Sequence, residues 1–174
     1  MSHILITGLP GVGKTTLIRR ITQHLRSYHP AGFYTEEIRV KGVRQGFRIL
    51  TLDGHEQVLS HVDFPGPHRV SRYGVNVRGF ELLLDQLDLR HASSPVVLLD
   101  EIGKMECFST RFKEEVTALL NSSKTVVATI ALKGDGFIQG IKQRTDCHLV
   151  TVTSSNRNQL VETVAEEILT LLNK

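Results

Sequence analysis

A glycine-rich segment near the N-terminus holds the residues of this sequence that are best suited to chemistry. Residues 8–15 read Gly-Leu-Pro-Gly-Val-Gly-Lys-Thr, which fits the pattern G-x-x-x-x-G-K-[ST]. The glycines let the backbone turn its N–H groups inward, and the concave nest that results can hold phosphate oxygens. In this pattern the lysine, Lys14, reaches the β- and γ-phosphates, and the hydroxyl of Thr15 binds Mg²⁺. The segment therefore predicts a site for the phosphates of a nucleotide.

Two adjacent carboxylates form the second group of candidate residues. They follow Val96-Val97-Leu98-Leu99, a continuous apolar run that is typical of a strand buried on both faces. At the end of such a strand Asp100 is predicted to bind Mg²⁺ together with Thr15, although an aspartate there can also cap the next helix. Glu101 is predicted to orient a water molecule for in-line attack on the γ-phosphate, unless it is simply a solvated side chain.

Alternating strands and helices are predicted to position these residues. An apolar strand at 3–7 precedes the glycine-rich segment, and a helix follows it from Lys14 to about Ser27. Further strands are predicted at 96–99, 125–132 and 149–152, and further helices at 80–90, at 109–120 with Ser109 as its cap, at 136–144, and at the end of the chain with Ser155 or Asn156 as its cap. This alternation is typical of a mostly parallel α/β sheet covered by helices on both faces. Such sheets bind ligands at the carboxyl ends of their strands, where both groups of candidate residues fall.

Residues 32–64 are predicted to extend this sheet with antiparallel hairpins. Strands are predicted at 33–40, 46–52 and 57–62, joined by a turn at 41–43 and by the hairpin signal Asp53-Gly54. The following residues, 63–79, are rich in proline, glycine, histidine and arginine. A basic segment of this length is either a lid over the phosphates or a solvated loop, and the sequence leaves both open.

Several basic residues are candidates for a further catalytic cation. Phosphoryl transfer often needs one besides Lys14, because negative charge accumulates on the phosphate oxygens in the transition state. The candidates are Arg72, Arg78, Lys104, Lys133 and Arg144, each of which is also explained as an ordinary surface charge. Thr129, near the end of the strand after the acidic pair, is a candidate for binding the γ-phosphate or the attacking water, or for packing alone.

Composition and charge are those of an ordinary globular protein. With 174 residues, 40% of them hydrophobic, the chain is expected to form a single domain over residues 1–174. The net charge of +3 suits polyanionic substrates, and the few aromatic residues offer no stacking platform for nucleic acid. We expect no membrane span, because no long apolar run occurs, and no signal peptide. Cys107 and Cys147 lack metal spacing, so we expect reduced thiols in a cytoplasmic protein. The sequence does not determine the oligomeric state, for which a monomer is the expectation.

The sequence contains a weak match to a guanine-binding motif. Ras-type sites read guanine with Asn-Lys-x-Asp after a late strand, whereas this chain has Leu132-Lys133-Gly134-Asp135 at a comparable place. Asp100-Glu101-Ile102-Gly103 also satisfies the Asp-x-x-Gly pattern of GTPases. The leucine in place of the asparagine argues against strict guanine selection.

Three segments together resemble the small THEP-type nucleoside-triphosphatases. They are the loop at 8–15, the acidic block Leu99-Asp100-Glu101-Ile102-Gly103-Lys104-Met105-Glu106, and the late Asn156-Arg157-Asn158. Their order and spacing cover nearly the whole chain. The acidic block is the most diagnostic of them, because a Walker A loop alone matches many families.

The resemblance implies a P-loop NTPase with a RecA-like sheet, in which an extra strand lies between the one leading to Gly8 and the one ending at Asp100. It also implies slow, Mg²⁺-dependent hydrolysis of ATP, GTP and other nucleoside triphosphates, with broad base tolerance. By this resemblance the nucleotide-binding residues are Gly8, Leu9, Pro10, Gly11, Val12, Gly13, Lys14, Thr15, Thr16, Val96, Val97, Leu98, Leu99, Asp100, Glu101, Ile102 and Gly103, with Asn156 and Arg157 beside the base. The segment around Lys133 departs from the family pattern, which has a proline shortly after this lysine and glycine.

Two other functions fit the same residues. A P-loop kinase would transfer the phosphoryl group to an acceptor other than water, and arginines of residues 63–79 would serve its acceptor site or lid. A GTP-binding switch or RNA-associated module would bind nucleotide with negligible hydrolysis. Glu101 favours activation of water, and therefore a hydrolase.

Overall fold

A single sheet runs through the part of the protein that the computed structural model describes, residues 2–134 and 136–173. In chain order its strands are β1 (His3–Gly8), β2 (Ala31–Val40), β3 (Val43–Thr51), β4 (Glu56–His61), β5 (Arg69–Val70), β6 (Tyr73–Val75), β7 (Val96–Ile102), β8 (Thr125–Ile130) and β9 (Cys147–Val152). The helices are α1 (Lys14–His24), α2 (Val77–Leu87), α3 (Thr110–Leu120), α4 (Phe137–Lys142) and α5 (Leu160–Leu172), and 3-10 turns occupy Arg26–Tyr28 and Glu106–Phe108.

The strand order is β5-β6-β4-β3-β2-β7-β8-β1-β9. Strands β2, β7, β8, β1 and β9 are parallel to their neighbours within this group. Strand β8 therefore lies between β1, which leads to the glycine-rich loop, and β7, which carries the acidic pair. The predicted mostly parallel sheet, with its extra strand between these two, is confirmed.

The antiparallel extension lies on one side of this parallel group. Strand β2 pairs in parallel with β7 and antiparallel with β3, and β3 pairs antiparallel with β4. The turn between β3 and β4 contains Gly54 in the left-handed region, at φ 97°, as the predicted Asp53-Gly54 signal requires. Strand β2 therefore joins the two halves of the sheet, because it takes part in both kinds of pairing.

Helices cover both faces of the sheet. Leu5, Val97 and Leu99 pack with α2, α3 and α4 on one face. Their neighbours in sequence, such as Ile4 and Leu98, pack with α1 and α5 on the other. The alternation follows from the two-residue period of a strand, and it explains why these strands are apolar throughout.

The helix ends follow the predictions only in part. Ser109 caps α3 as predicted, since its Oγ accepts the N–H of Phe112 at 2.9 Å. The predicted cap of α5 is wrong, because that helix begins at Leu160 with Gln159 at its N-cap position. Asn156 instead closes a turn, where its Oδ1 accepts the N–H of Thr153 at 2.8 Å. No helix of the described residues is long and apolar enough to cross a membrane.

Some other element boundaries also differ from the predictions. Helix α1 ends at His24 rather than near Ser27, and a 3-10 turn completes it. Strand β8 ends at Ile130 rather than Leu132. The segment at 63–79, predicted as a loop, contains the short hairpin of β5 and β6 and the first turn of α2, which Asn76 caps.

Candidate active site

The glycine-rich loop connects the end of β1 to the start of α1. Gly8 packs so closely against β9 that a Cβ there would lie 2.6 Å from the carbonyl oxygen of Val152. Gly13 precedes the helix at φ 109°, a conformation that side chains other than glycine rarely adopt. The Nζ atom of Lys14 donates to the carbonyl oxygens of Gly8 at 3.2 Å and Leu9 at 3.3 Å. The backbone of the loop therefore curves around the side chain of Lys14.

A cavity of 1270 Å³ opens beside this loop. Its lining on the loop side consists of Gly8, Leu9, Pro10, Gly11, Gly13, Lys14, Thr15 and Thr16. Glu101 and Gly103, which follow the buried part of β7, also line it. The structure therefore brings Lys14 and Glu101 to one cavity, although 87 positions separate them in the sequence.

Asp100 lies buried at the end of β7, with 1% of its surface exposed. Its Oδ1 accepts a hydrogen bond from the hydroxyl of Thr129 on β8 at 2.6 Å. Its Oδ2 accepts from the hydroxyl of Thr35 on β2 at 3.2 Å and from the N–H of Thr35 at 3.3 Å. Both neighbouring strands thus hold this carboxylate. Thr129, a candidate for contacting phosphate or water, donates to Asp100.

The donor chemistry around Asp100 fits Mg²⁺. Mg²⁺ takes oxygen ligands and is usually held by one or two carboxylates together with substrate phosphates, rather than by a cage of protein ligands. Asp100 and the Thr15 hydroxyl supply the oxygen donors that such a site needs.

Glu101 lies in a less polar environment than a surface glutamate. Burial raises the pKa of its carboxyl group, the ammonium group of Lys14 counteracts this rise, and the charge of Asp100 adds to it. A raised pKa makes a carboxylate a better acceptor of a proton near neutral pH. This environment suits a group that orients or deprotonates water.

A family model described as NTPase matches residues 3–165 of this chain. The chain belongs to this family of nucleoside-triphosphatases. Nucleoside-triphosphatase THEP1 of Thermotoga sp. (strain RQ2) is 44% identical over 170 residues, which are 97% of this chain and 94% of that protein. The resemblance found in the sequence is thereby confirmed.

Two solved structures share the fold of this NTPase. The crystal structure of THEP1 from Aquifex aeolicus superposes with a TM-score of 0.87 at 36% identity, covering 95% of this chain and 98% of that one. The solution structure of a human cancer-related nucleoside triphosphatase gives a TM-score of 0.84 at 38% identity, covering 98% of each chain.

Hydrogen bonds and ion pairs connect residues of β2, β3 and β6 that line another part of the cavity. Glu37 on β2 accepts hydrogen bonds from Arg39 at 2.7 Å and Arg44 at 3.0 Å. Arg44 also donates to the hydroxyl of Tyr73 at 2.8 Å. Hydrogen bonds from Arg44, and then Arg39, lower the pKa of Glu37, so this carboxylate stays ionised at neutral pH. The wall is therefore held by the antiparallel extension of the sheet.

The five candidate cations lie in different surroundings. Arg72, Lys104 and Lys133 line the cavity. Arg78 lies exposed on the first turn of α2, outside this lining. Arg144 also lies outside this lining, and it donates to Asp146 at 2.6 Å and to the carbonyl oxygen of Leu120 at 3.0 Å.

Arg157 lies on the other side of β1 from Glu101. Its side chain donates to the carbonyl oxygen of Val12 at 3.4 Å and passes close to Gly13. Asn156 donates to the carbonyl oxygen of Thr151 at 3.0 Å and so fixes the turn that carries Arg157. These residues border the loop but not the cavity. Asp135, the last residue of the guanine-motif match, lies outside the described residues.

The apolar residues predicted to bind nucleotide serve the site through the backbone. Val96, Val97, Leu98, Leu99 and Ile102 have no exposed surface, so their side chains belong to the core. They form the strand that carries Asp100 and Glu101. Val12 packs partly against the core cluster that contains α1 and α5.

Glu106 is a cavity residue that the sequence did not single out beyond its place in the acidic block. It lies on the 3-10 turn after β7, lines the cavity and is 5% exposed. Burial first, and then the charge of Glu101, raise the pKa of its carboxyl group to about 8. Its place directly after Gly103-Lys104-Met105 was the available signal, but nothing in the sequence shows that this glutamate is buried.

This raised pKa predicts how the stability of the protein depends on pH. The unfolded chain releases the Glu106 proton near its ordinary pKa of 4.5 and the folded chain near 8, so this group lowers the free energy of unfolding as pH rises between these values. We expect Glu106→Gln, which cannot ionise, to gain stability over the parent protein by about 1.4 kcal/mol per pH unit in this window. Urea denaturation at pH 5 and at pH 8 measures the difference, and an equal difference at both would contradict the prediction.

Proposed function

We propose that this protein hydrolyses nucleoside triphosphates to nucleoside diphosphates and phosphate with Mg²⁺, and that it accepts several bases. One observation carries the proposal. Lys14 and Glu101 face one cavity from two separate strand ends, and Asp100 is held beside them by Thr35 and Thr129. A group for the phosphates, a metal-binding carboxylate and a group for water are what such hydrolysis requires.

The loop at 8–15 binds the triphosphate in this mechanism. Its backbone N–H groups and the N-terminus of α1 offer positive partial charges to phosphate oxygens. Lys14 leaves the loop carbonyls and donates to the β- and γ-phosphates, where it neutralises charge that grows during the reaction. Thr15 and Asp100 would hold Mg²⁺, which when bound neutralises phosphate charge and aligns the phosphate chain for attack.

Glu101 orients the attacking water. Its carboxylate accepts a hydrogen bond from the water and directs the oxygen toward the γ-phosphorus, in line with the bond to the leaving diphosphate. The water proton passes to Glu101 or to the phosphate product. The partly buried position of Glu101 supports this role, because a desolvated carboxylate is a stronger proton acceptor.

Arg72 is the candidate that we favour for the further cation. It lies at the tip of the β5–β6 hairpin, where its guanidinium group stacks over the ring of Tyr73 at 5.3 Å and donates to the carbonyl oxygen of Arg44. Arg39 and Arg44, by contrast, are engaged with the carboxylate of Glu37. Arg72 thus keeps its charge available to the phosphates.

The base is expected to lie near Asn156 and Arg157, outside the cavity. Both residues border the glycine-rich loop on the side away from Glu101. Leu132 stands where a guanine-reading asparagine would be, and it is 38% exposed. The chain therefore lacks the hydrogen-bonding side chain with which a Ras-type site reads guanine, which supports broad base tolerance.

We further propose that residues 1–174 form one nucleotide-hydrolysing domain that works as a monomer in the cytoplasm, with no nucleic-acid partner. Cys107 and Cys147 are free thiols, as expected for a reducing compartment.

Exchanges at the two catalytic residues test the core of the proposal. We expect Glu101→Gln to lower kcat by about 10²-fold or more while nucleotide affinity stays nearly unchanged. Lys14→Ala should instead lose turnover and bind nucleotide more weakly, because it removes a direct contact to phosphate. Phosphate release and equilibrium binding of a non-hydrolysable analogue separate the two effects. Loss of binding in Glu101→Gln would make Glu101 a metal-binding or structural residue.

The role of Arg72 is tested against Arg78 on α2, which lies outside the cavity lining. Arg72→Ala should lower kcat by roughly tenfold to 10²-fold, since it removes a charge aimed at the transition state. The matched variant Arg78→Ala removes the same charge outside the cavity and should keep the parent kcat. Equal kcat values in both variants and the parent would exclude Arg72 as the cation.

A panel of nucleotides tests hydrolysis and base tolerance together. We expect phosphate release from ATP, GTP, CTP, UTP and deoxynucleotides with rates within about tenfold of each other, because a pocket without specific hydrogen bonds discriminates weakly. Release from GTP alone would favour the guanine-selective switch.

A second candidate function, a kinase, is favoured by the space between Glu101 and the cavity wall formed by Arg44, Phe47 and Tyr73. The kinase function would replace the proposed hydrolysis if nucleoside diphosphate formed from ATP only after an acceptor molecule was added.

A further inference from the structure

A second, smaller groove lies beside the large cavity at the carboxyl edge of the sheet. Its volume is 510 Å³, within the range of about 300–1,000 Å³ that is usual for small-molecule sites. One wall comes from the segment after β7, and another from Gly134 and the start of α4, which follow β8. Parallel α/β sheets bind their ligands in crevices at this edge, so the groove lies in a part of the fold that is suited to a ligand.

The groove adjoins the large cavity. Val70 and Ser71 of the β5–β6 hairpin and Lys104 after β7 line both spaces. Lys104 follows Glu101 by three residues, a stretch of chain that spans at most about 11 Å. A molecule in the groove is therefore a neighbour of whatever occupies the cavity beside Glu101.

Three cations line the groove, each from a different element of the fold. They are Arg69 on β5, Lys104 after β7 and Lys113 on α3. The guanidinium group of Arg69 donates to the carbonyl oxygens of Phe64 at 3.0 Å and Arg72 at 2.7 Å. These neutral acceptors fix the direction of the Arg69 side chain, but they do not cancel its positive charge.

The described residues of this lining supply no anion to balance the three cations. They include no carboxylate. The thiol of Cys107 also lines the groove, but burial, and then the charge of Glu106, raise its pKa to about 12, so it stays neutral at physiological pH. Like charges around one groove repel each other, and an anion bound between them is attracted to all of them. The charges therefore indicate an anionic ligand.

Two aromatic side chains add flat apolar surface to the groove. Phe108 and Phe137 line it and are partly buried. The ring of Phe108 also packs against that of His68, with the ring centroids 5.0 Å apart, which holds Phe108 against the segment leading into the β5–β6 hairpin. Aromatic rings make favourable offset and edge contacts with other rings. Cations and rings together suit an anion that carries a planar ring better than a bare inorganic anion.

We propose that this groove binds a small organic anion with a planar ring, as a second ligand beside the nucleotide cavity. Lys104 and Lys113 hold its anionic group through charge-assisted hydrogen bonds, and its ring packs against Phe108 and Phe137. Aromatic carboxylates and aromatic phosphate esters share this chemistry. The ligand is a molecule other than the nucleoside triphosphate, and its binding requires no hydrolysis.

Titration of the full chain with phenylphosphonate, followed by ¹H–¹⁵N NMR, tests this proposal. We expect saturable binding with a Kd of about 1 mM or lower, which is ordinary for a ligand of about ten non-hydrogen atoms. The largest shifts should fall on the amides of Lys104, Cys107 and Phe137. Methylphosphonate lacks the ring and benzyl alcohol lacks the charge, so each should bind at least about tenfold more weakly. Benzoate that binds more tightly than phenylphosphonate would identify a carboxylate as the preferred anion, and weaker binding a phosphate ester.

Variants of groove residues locate the bound probe. Lys113→Ala should weaken phenylphosphonate binding by about tenfold, because it removes a hydrogen bond between charged groups, and Lys113→Arg should restore most of the affinity. Phe137→Leu should weaken binding severalfold through the lost ring contact. The matched variant Arg78→Ala removes a positive charge outside the groove and should keep the parent affinity. Lys14→Ala should keep it as well, because Lys14 lines only the large cavity.

Three results would overturn the proposal. Shifts confined to the loop at 8–15 and lost in Lys14→Ala would place the probe in the nucleotide site. Parent affinity in both Lys113→Ala and Phe137→Leu would place it elsewhere on the surface. Equal affinities for methylphosphonate and phenylphosphonate would show that the ring is not recognised. The same spectra show whether each variant is folded, and if Phe137→Leu is not, the comparison of Lys113→Ala with Lys113→Arg carries the test.

The proposed hydrolysis is tested separately from the groove. Phosphate release from ATP needs no phenylphosphonate, and binding of phenylphosphonate needs no turnover. Absence of phosphate release with intact probe binding would refute the hydrolysis and support the groove. Phosphate release at the expected rates without saturable probe binding would refute the groove and leave the hydrolysis standing.

Discussion

The buried carboxylate of Asp100 is the constraint on which the site depends. A charged group at the end of a strand buried on both faces needs hydrogen-bond donors, because desolvation otherwise makes it costly. Asp100 takes them from Thr129 on β8 and Thr35 on β2, the strands on either side. The register of three adjacent strands is therefore tied to the position of one functional oxygen pair. Thr35 belongs to the strand that begins the antiparallel extension, so the extension is part of the site.

Charge balance explains how the cavity accommodates acidic residues next to a site for polyanions. Lys14 faces Glu101 and offsets part of the cost of its burial. Glu106, deeper in the wall, instead holds its proton near neutral pH. Across the cavity, Glu37 is paired with Arg39 and Arg44. A neighbouring lysine, a retained proton and paired arginines thus limit the negative charge of these three carboxyl groups near the phosphates.

The sequence predicted those parts of the site that depend on local pattern. The loop at 8–15 is contiguous, and Asp100 and Glu101 directly follow an apolar strand, so both were recognisable. Thr35 was not, because its role depends on strand pairing with a segment 65 positions away. Glu106 was missed for the same reason, since burial belongs to the fold and not to the residue. For Arg144 the sequence left a catalytic cation and a surface charge open, and the structure pairs it with Asp146, two residues away.

The antiparallel extension determines which acceptor can attack the γ-phosphate at this P-loop site. A parallel sheet alone provides the loop and the acidic pair at its carboxyl edge. The opposite wall, with Arg44 stacked against Phe47 at 5.1 Å and Tyr73 at 5.5 Å, comes from β2, β3, β6 and the hairpins that join them. This wall keeps the space beyond Lys14 both cationic and partly apolar. Whether water or another acceptor attacks the γ-phosphate therefore depends on what this wall admits, while the loop and Asp100 serve either reaction equally.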